Sequence, residues 1–128
     1  MLISITAAIL SFMIFFPVVV ATSVFKVLDE KQSSKFLRIF FPRYYLFGLV
    51  LSLFGLIISI FEKNNTSLIV FVLLIIGFLF SRQFLTQIIN KAKDNNNDKK
   101  FNKLHKLSVL INFIQMGLCL LILVNLLK

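Results

Sequence analysis

Acidic side chains are scarce: five Asp and Glu among 128 residues, against fourteen Lys and Arg. Asp29, Glu30, Glu62, Asp94 and Asp98 all fall in polar segments or at their edges. No paired carboxylates, nucleophile–base pair or phosphate-binding loop can be assembled. This argues against an acid–base enzyme and leaves no catalytic residue to nominate. Cysteine is just as sparse. Cys119 alone cannot close an intrachain disulfide, and it sits in an apolar run without the spacing of a metal site. His105 is the only histidine, so a bis-histidine haem is excluded within one chain and a zinc site lacks ligands. No metal ligand set is expected. Charged residues make up 15% of the chain and crowd into two short segments, which leaves no water-facing surface for a soluble domain.

Apolar residues dominate instead. They form 59% of the chain, and the mean hydropathy is +0.94, where soluble domains run at about 45–50% apolar. The apolar runs are long enough to cross a ~30 Å hydrocarbon core as helices. The expected fold is an all-α membrane protein, a single four-transmembrane-helix bundle over residues 1–128, with helices at about 2–27, 41–61, 68–89 and 104–127. The N-terminal run lacks a basic leader and exceeds the apolar core of a signal peptide, so an uncleaved first span is expected. Pro17 lies inside that span and should kink it, which membrane helices tolerate. Pro42 suits the first turn of the second helix. Thr66 or Ser67 could cap the third. That third run, apolar only to Phe80, continues with apolar residues at 84, 85, 88 and 89, the spacing of an amphipathic helical end. Residues 29–38 read as a polar basic loop, and residues 91–103 as a solvated, mobile one.

The net charge of +9 belongs to segments beside the spans. It therefore points to anionic lipid headgroups and topological control rather than to nucleic acid. Lys26, Lys31, Lys35, Arg38, Arg43, Arg82, Lys91, Lys93, Lys99, Lys100, Lys103 and Lys106 share one side, and only Lys63 and Lys128 lie on the other. The positive-inside rule then puts both basic segments in the cytoplasm and both termini outside. A bacterial cytoplasmic (inner) membrane is the expected location.

Polar residues recur along one face of the fourth helix: His105, Ser108, Asn112, Gln115 and Cys119. Asn112 lies about eight residues below the helix end, roughly 12 Å deep. An amide at that depth must find a partner. Interhelical hydrogen bonding is the plainer reading; a solute, ion or cofactor site is the sharper one. His105 can be a solvated end residue or a ligand. Arg82 can snorkel to the interface or anchor an anionic group. Gly48, Ser52, Gly55 and Ser59 form a stripe of small residues that reads as a close-packing seam.

Three segments carry a resemblance: Val20–Leu28, the Phe-Phe-Pro-Arg-Tyr-Tyr-Leu-Phe-Gly run at Phe40–Gly48, and Leu104–Gln115 with its Leu-His-x-Leu-Ser pattern. Together they resemble the small four-helix membrane family called transmembrane protein 205-like, catalogued as domain of unknown function 4149. The chain departs from the family at Ala21-Thr22, where Ala-Pro is usual, and lacks a proline after the third span. The resemblance implies a four-helix membrane fold and a polar signature at Pro42, Tyr44, Tyr45, Gly48, His105, Ser108, Asn112 and Gln115. It brings no established activity.

The function expected is that of a non-enzymatic membrane protein handling a small solute, by transport or tolerance. It would use a polar pocket near the cytoplasmic face made of Tyr44, Tyr45, Arg82, Gln87, His105, Ser108, Asn112 and Gln115. Two alternatives stand beside it: a haem-linked membrane oxidoreductase with His105 as ligand, and a structural subunit of a membrane complex. The expected partners are the lipid bilayer, with anionic headgroups at the basic loops, and a second copy or a membrane-complex subunit. No cofactor is identified.

Overall fold

The computed structural model describes residues 1–128 and consists of four long helices: α1 (Leu2–Val27), α2 (Glu30–Phe61), α3 (Asn65–Asp94) and α4 (Asp98–Leu127). Each is long and apolar enough to cross a membrane. They form a closed ring in chain order, α1 on α2, α2 on α3, α3 on α4 and α4 back on α1, while the diagonal pairs meet only through side chains such as Phe12 and Phe78. Both termini and the α2–α3 turn follow from this up-and-down order: the termini share one end of the bundle with each other, and the other two connections share the opposite end.

The connections are shorter than the sequence suggested. Residues 29–38 are not a loop. Asp29 is an N-cap whose carboxylate accepts from the Gln32 N–H at 2.8 Å, and the helix starts at Glu30. Residues 91–103 contain only a three-residue turn, Asn95–Asn97, between helical segments. Both of the longer turns close in one way. Lys63 and Asn96 adopt φ of 55°, and the next amides, of Asn64 and Asn97, reach back to the Ser59 and Ala92 carbonyls at 3.0 Å. This is the Schellman closure of a helix end. Asn64 and Asn97 then cap the following helix, accepting from Ser67 and Lys100 N–H groups at 3.0 and 3.2 Å. So Asn64 caps α3, and Ser67, an expected cap, supplies the donor. Local capping overrode the weak helical tendency of Asn- and Lys-rich sequence.

Pro42 is likewise not in a first turn; it lies within α2. Pro17 meets its expectation of a disturbed helix. It has no N–H for the Met13 carbonyl, and Phe16–Val20 widens into a π turn. Below it, Thr22 and Ser23 hydroxyls donate to the Val18 and Val19 carbonyls at 2.7 Å. A second π turn, Ser81–Leu85, interrupts α3. There the Thr86 hydroxyl donates to the Ser81 carbonyl at 2.7 Å.

The small-residue seam is the tightest contact of the bundle. Gly48, Ser52, Gly55 and Ser59 are all buried on α2. A methyl placed on Gly48 would meet the Phe78 ring at 2.7 Å, and one on Gly55 would collide with the Phe71 ring. Phe71 and Phe78 are fully buried and seven residues apart, as are the two glycines. The rings of α3 therefore fill the two gaps in α2, in antiparallel register.

Gly55→Leu should overpack this seam and cost roughly 1–3 kcal/mol, read as a fall in the thermal midpoint in detergent. Gly117 has no atom within 4 Å of its missing side chain. Gly117→Leu is therefore expected to stay within about 0.5 kcal/mol of the parent. Equal effects at both positions would contradict the assignment of the seam.

Candidate functional site

At the end of the bundle that carries the two helix connections Leu28–Asp29 and Asn95–Asn97, the four helices part around a cavity of about 660 Å³. Small-molecule sites commonly run at about 300–1,000 Å³. The parting begins at the first π turn. Leu2–Phe15 runs close along α4, whereas Phe16–Val27 does not approach it. Phe16, Pro17, Ala21 and Phe25 of α1 line one wall of the cavity, and Phe101, His105, Ser108 and Val109 of α4 line the opposite one. Phe41 and Tyr45 of α2 and Thr86 and Ile89 of α3 lie between them, with Glu30, Ser33 and Ser34 of α2 nearer the mouth.

The mouth is charged. At 32 residues, α2 is about 48 Å long, well beyond a ~30 Å hydrocarbon core, and its first turns carry the polar ends. Arg38 pairs with Asp94 and also donates to the Asn90 carbonyl at 3.4 Å. Lys93 donates to Glu30 at 2.9 Å and lies 5.1 Å from the centre of the Phe101 ring. Arg38 and Lys93 line the cavity. Their side chains are 35% and 31% exposed, against 59% for Asp94 and 85% for Glu30. Glu30 lines the cavity too, while Asp94 does not, and each acid is more exposed than the cation it pairs with. The hydrogen bond from Arg38 holds the solvated Asp94 carboxyl below its ordinary pKa.

The expected pocket residues divide. Tyr45, His105 and Ser108 line the cavity. Tyr44 stands beside Tyr45, ring centres 5.2 Å apart, and packs on Phe12 and Phe16. Asn112 and Gln115 lie deeper. Gln115 is buried and donates to the Leu74 carbonyl at 3.2 Å, the interhelical bond that the plainer reading of the stripe called for. Arg82 turns to α2 and donates to the Pro42 carbonyl at 3.3 Å. Gln87 is exposed and outside the cavity; Thr86, next to it, faces inward instead. The α1 wall and the Arg38 and Lys93 mouth were missed in the sequence. Pro17 in mid-span and the caps at Asp29 and Asn97 were the available signals.

Four polar atoms inside the bundle lack partners. Ser52 Oγ, Ser81 Oγ, Asn112 Oδ1 and Gln115 Oε1 are buried and accept no hydrogen bond. Tyr45 has Asn112 and Ser81 as polar neighbours. Ser81 of α3 and Asn112 of α4 thus stand next to a residue of the cavity wall. No three His, Cys, Asp or Glu side chains come together anywhere.

The Gln115 amide also sits against Gly77, whose missing methyl would lie 2.5 Å from Nε2. Gly77→Ala should push the amide off the Leu74 carbonyl and cost roughly 0.6–2 kcal/mol. In a Gln115→Ala background the same change should be neutral or stabilising. A thermal-melt double-mutant cycle checks this, and additive effects would show that the two positions are uncoupled.

No curated protein and no solved structure matches the chain. A family profile does match, over residues 5–98. It spans α1 to α3, with most of the cavity wall, and stops before the Leu104–Gln115 segment of α4. The matched residues cover well over half of the chain, and the chain belongs to the family described as domain of unknown function (DUF4149).

Proposed function

We propose that this membrane protein is not an enzyme and takes up a small solute in the cavity at its basic end, which faces the cytoplasm. The cavity itself carries the reading. It is an apolar chamber inside a transmembrane bundle, with Tyr45, His105 and Ser108 on its walls and cations at its mouth. Helix packing alone gives no reason to leave such a space open, since protein interiors are otherwise close-packed. A cavity of this kind suits reversible binding, the first step of either transport or tolerance.

The cytoplasmic assignment rests on charge. Twelve of the fourteen Lys and Arg residues belong to the half of the bundle with the cavity, and the positive-inside rule retains that half in the cytoplasm. Single cysteines at Gln32 and Asn95, both exposed, should resist membrane-impermeant thiol reagents in sealed cells. A cysteine at Asn65, exposed at the other end, should react. Native Cys119 is buried and should add no background. Labelling at Asn95 in sealed cells would reverse the orientation.

Binding is tested by extracting and identifying small molecules that co-purify with the protein. A molecule retained by the parent should be lost from Ala21→Trp and Ser108→Trp, which fill the cavity from opposite walls, while the folded yield is kept. Equal retention in the parent and both variants would place binding elsewhere.

A further inference from the structure

We infer that the cavity is entered from the bilayer, through the gap between α1 and α4, and that its ligand is a membrane-dissolved amphiphile with an apolar chain and an acidic head. The inference rests on the solute-pocket reading above and adds the route and the ligand class.

The route follows from how α1 runs. Its first half lies along α4 and its second half, beyond the π turn at Phe16–Val20, does not. The two helices are ring neighbours, so their separation leaves a slot in the side of the bundle and not a space in its centre. Residues on both lips line the cavity and yet are open: Phe25 is 61% exposed and Val109 38%. In a membrane both are apolar and face lipid tails. An apolar chain can cross such a slot without leaving hydrocarbon. A hydrophilic solute would have to pass lips that offer it no hydrogen bond.

The ligand class follows from the lining. Phe16, Phe25, Phe41, Ile89, Phe101 and Val109 offer an apolar body its surroundings. Neutral polar groups, among them Tyr45, His105 and Ser108, interrupt the walls, and the charged side chains are confined to the mouth. At the mouth Arg38 and Lys93 line the cavity with one carboxylate, Glu30, and both acidic partners, Asp94 and Glu30, are the more solvent-exposed member of their pair. Solvent-exposed ion pairs are weak, about 0–1 kcal/mol, so an acidic head can take up either cation while the displaced carboxylate returns to water. The hydroxyls of Ser33, Thr86 and Ser108 already donate to backbone carbonyls, so donors for the head fall to the two cations, to His105, to Asn90 and to the Ser34 hydroxyl. A carboxylate and a phosphate monoester share this acceptor-only chemistry.

The chain contains no tryptophan, so one placed at either lip reports its surroundings alone. Phe25→Trp and Val109→Trp test the two lips independently. Phe84→Trp, exposed on α3 in the same half of the bundle, serves as the lipid-facing reference. Each is reconstituted in phosphatidylcholine vesicles and titrated with brominated stearate, a brominated alkyl phosphate or a brominated alkyl trimethylammonium. The expected result is saturable quenching at both lips by the two acidic chains, and quenching simply proportional to dissolved chain at Phe84→Trp. The cationic chain should bind the lips roughly tenfold more weakly. A difference between carboxylate and phosphate identifies which acid the mouth prefers. Proportional quenching at both lips, as at the reference, would overturn the inference. So would equal saturable binding of acidic and cationic chains, which removes the acidic head. Quenching of the lips by aqueous acrylamide without any saturable chain response would place the entrance on the water side; that overturns the bilayer route and leaves the solute pocket standing. Lips shielded from both acrylamide and chains would mean a closed cavity, and the pocket reading would fall with the route.

Discussion

Inside hydrocarbon a backbone amide has no water to turn to, and each one left unpaired costs several kcal/mol. The rest of this structure depends on that constraint. Of 109 backbone hydrogen bonds, 98 lie within helices, so the four elements are almost self-sufficient before they meet. Helix ends are settled at the aqueous faces, where Asp29, Asn64 and Asn97 supply caps. Where the ladder is broken in mid-span, side chains or a changed hydrogen-bond pitch make good the loss. The π turns at Phe16–Val20 and Ser81–Leu85 are followed or flanked by hydroxyls that occupy the carbonyls they disturb. Arg82 adds a side-chain donor to the Pro42 carbonyl across the α2–α3 contact.

Once backbone needs are met, packing can be selective. The hydrophobic effect gives membrane helices little reason to associate, so close approach and interhelical hydrogen bonds must do it. The α2–α3 pair uses both: the glycine–phenylalanine seam brings the two helices together, and the ion pairs Arg38–Asp94 and Lys93–Glu30 join their polar ends. The α1–α4 pair uses neither beyond Phe15. One side of the ring is thereby a fixed unit and the other an open seam. The asymmetry is set by residues on α2 and α3, although its consequence appears between α1 and α4.

Much of the fold was legible because hydrophobic length and small-residue spacing are strong signals. The four spans, the Gly48–Ser59 seam and the inward face of Gln115 all follow from periodicity. The helix limits did not, because Asn95, Asn96 and Asn97 read as a disordered run while in fact dividing into a left-handed closure and a cap. Capping depends on single residues and leaves no periodic trace. The candidate site was legible in part. Tyr45 was found through the family's polar signature, and His105 and Ser108 through the polar stripe along the fourth helix. The α1 wall escaped notice because Phe16, Ala21 and Phe25 look like ordinary lipid-facing residues; only the separation of α1 from α4 gives them an inner surface. Gln87 and Thr86 show the opposite limit. Both are polar neighbours on one helix, and one widened turn after Ser81 decides which of them points inward.

That widened turn links the two halves of the polar architecture. A π turn inserts an extra residue, so every side chain after it is rotated relative to those before. On α3 the residues before Ser81, such as Leu74 and Phe78, fill the core, and those after it, Thr86, Ile89, Asn90 and Lys93, line the cavity. On α1 the turn at Pro17 acts similarly: Ile9 and Met13 above it are buried, and Pro17, Ala21 and Phe25 beyond it line the cavity. Two helices thus change from packing to lining through a local defect in the same half of the bundle. The unpartnered oxygens of Ser81, Asn112 and Gln115 lie where this change occurs on α3 and along the α4 stripe that faces it. Buried acceptors without donors are costly in apolar surroundings. Ser81 and Asn112 adjoin Tyr45 of the cavity wall, which fits a bundle in which one end is packed for stability and the other is left open to be filled.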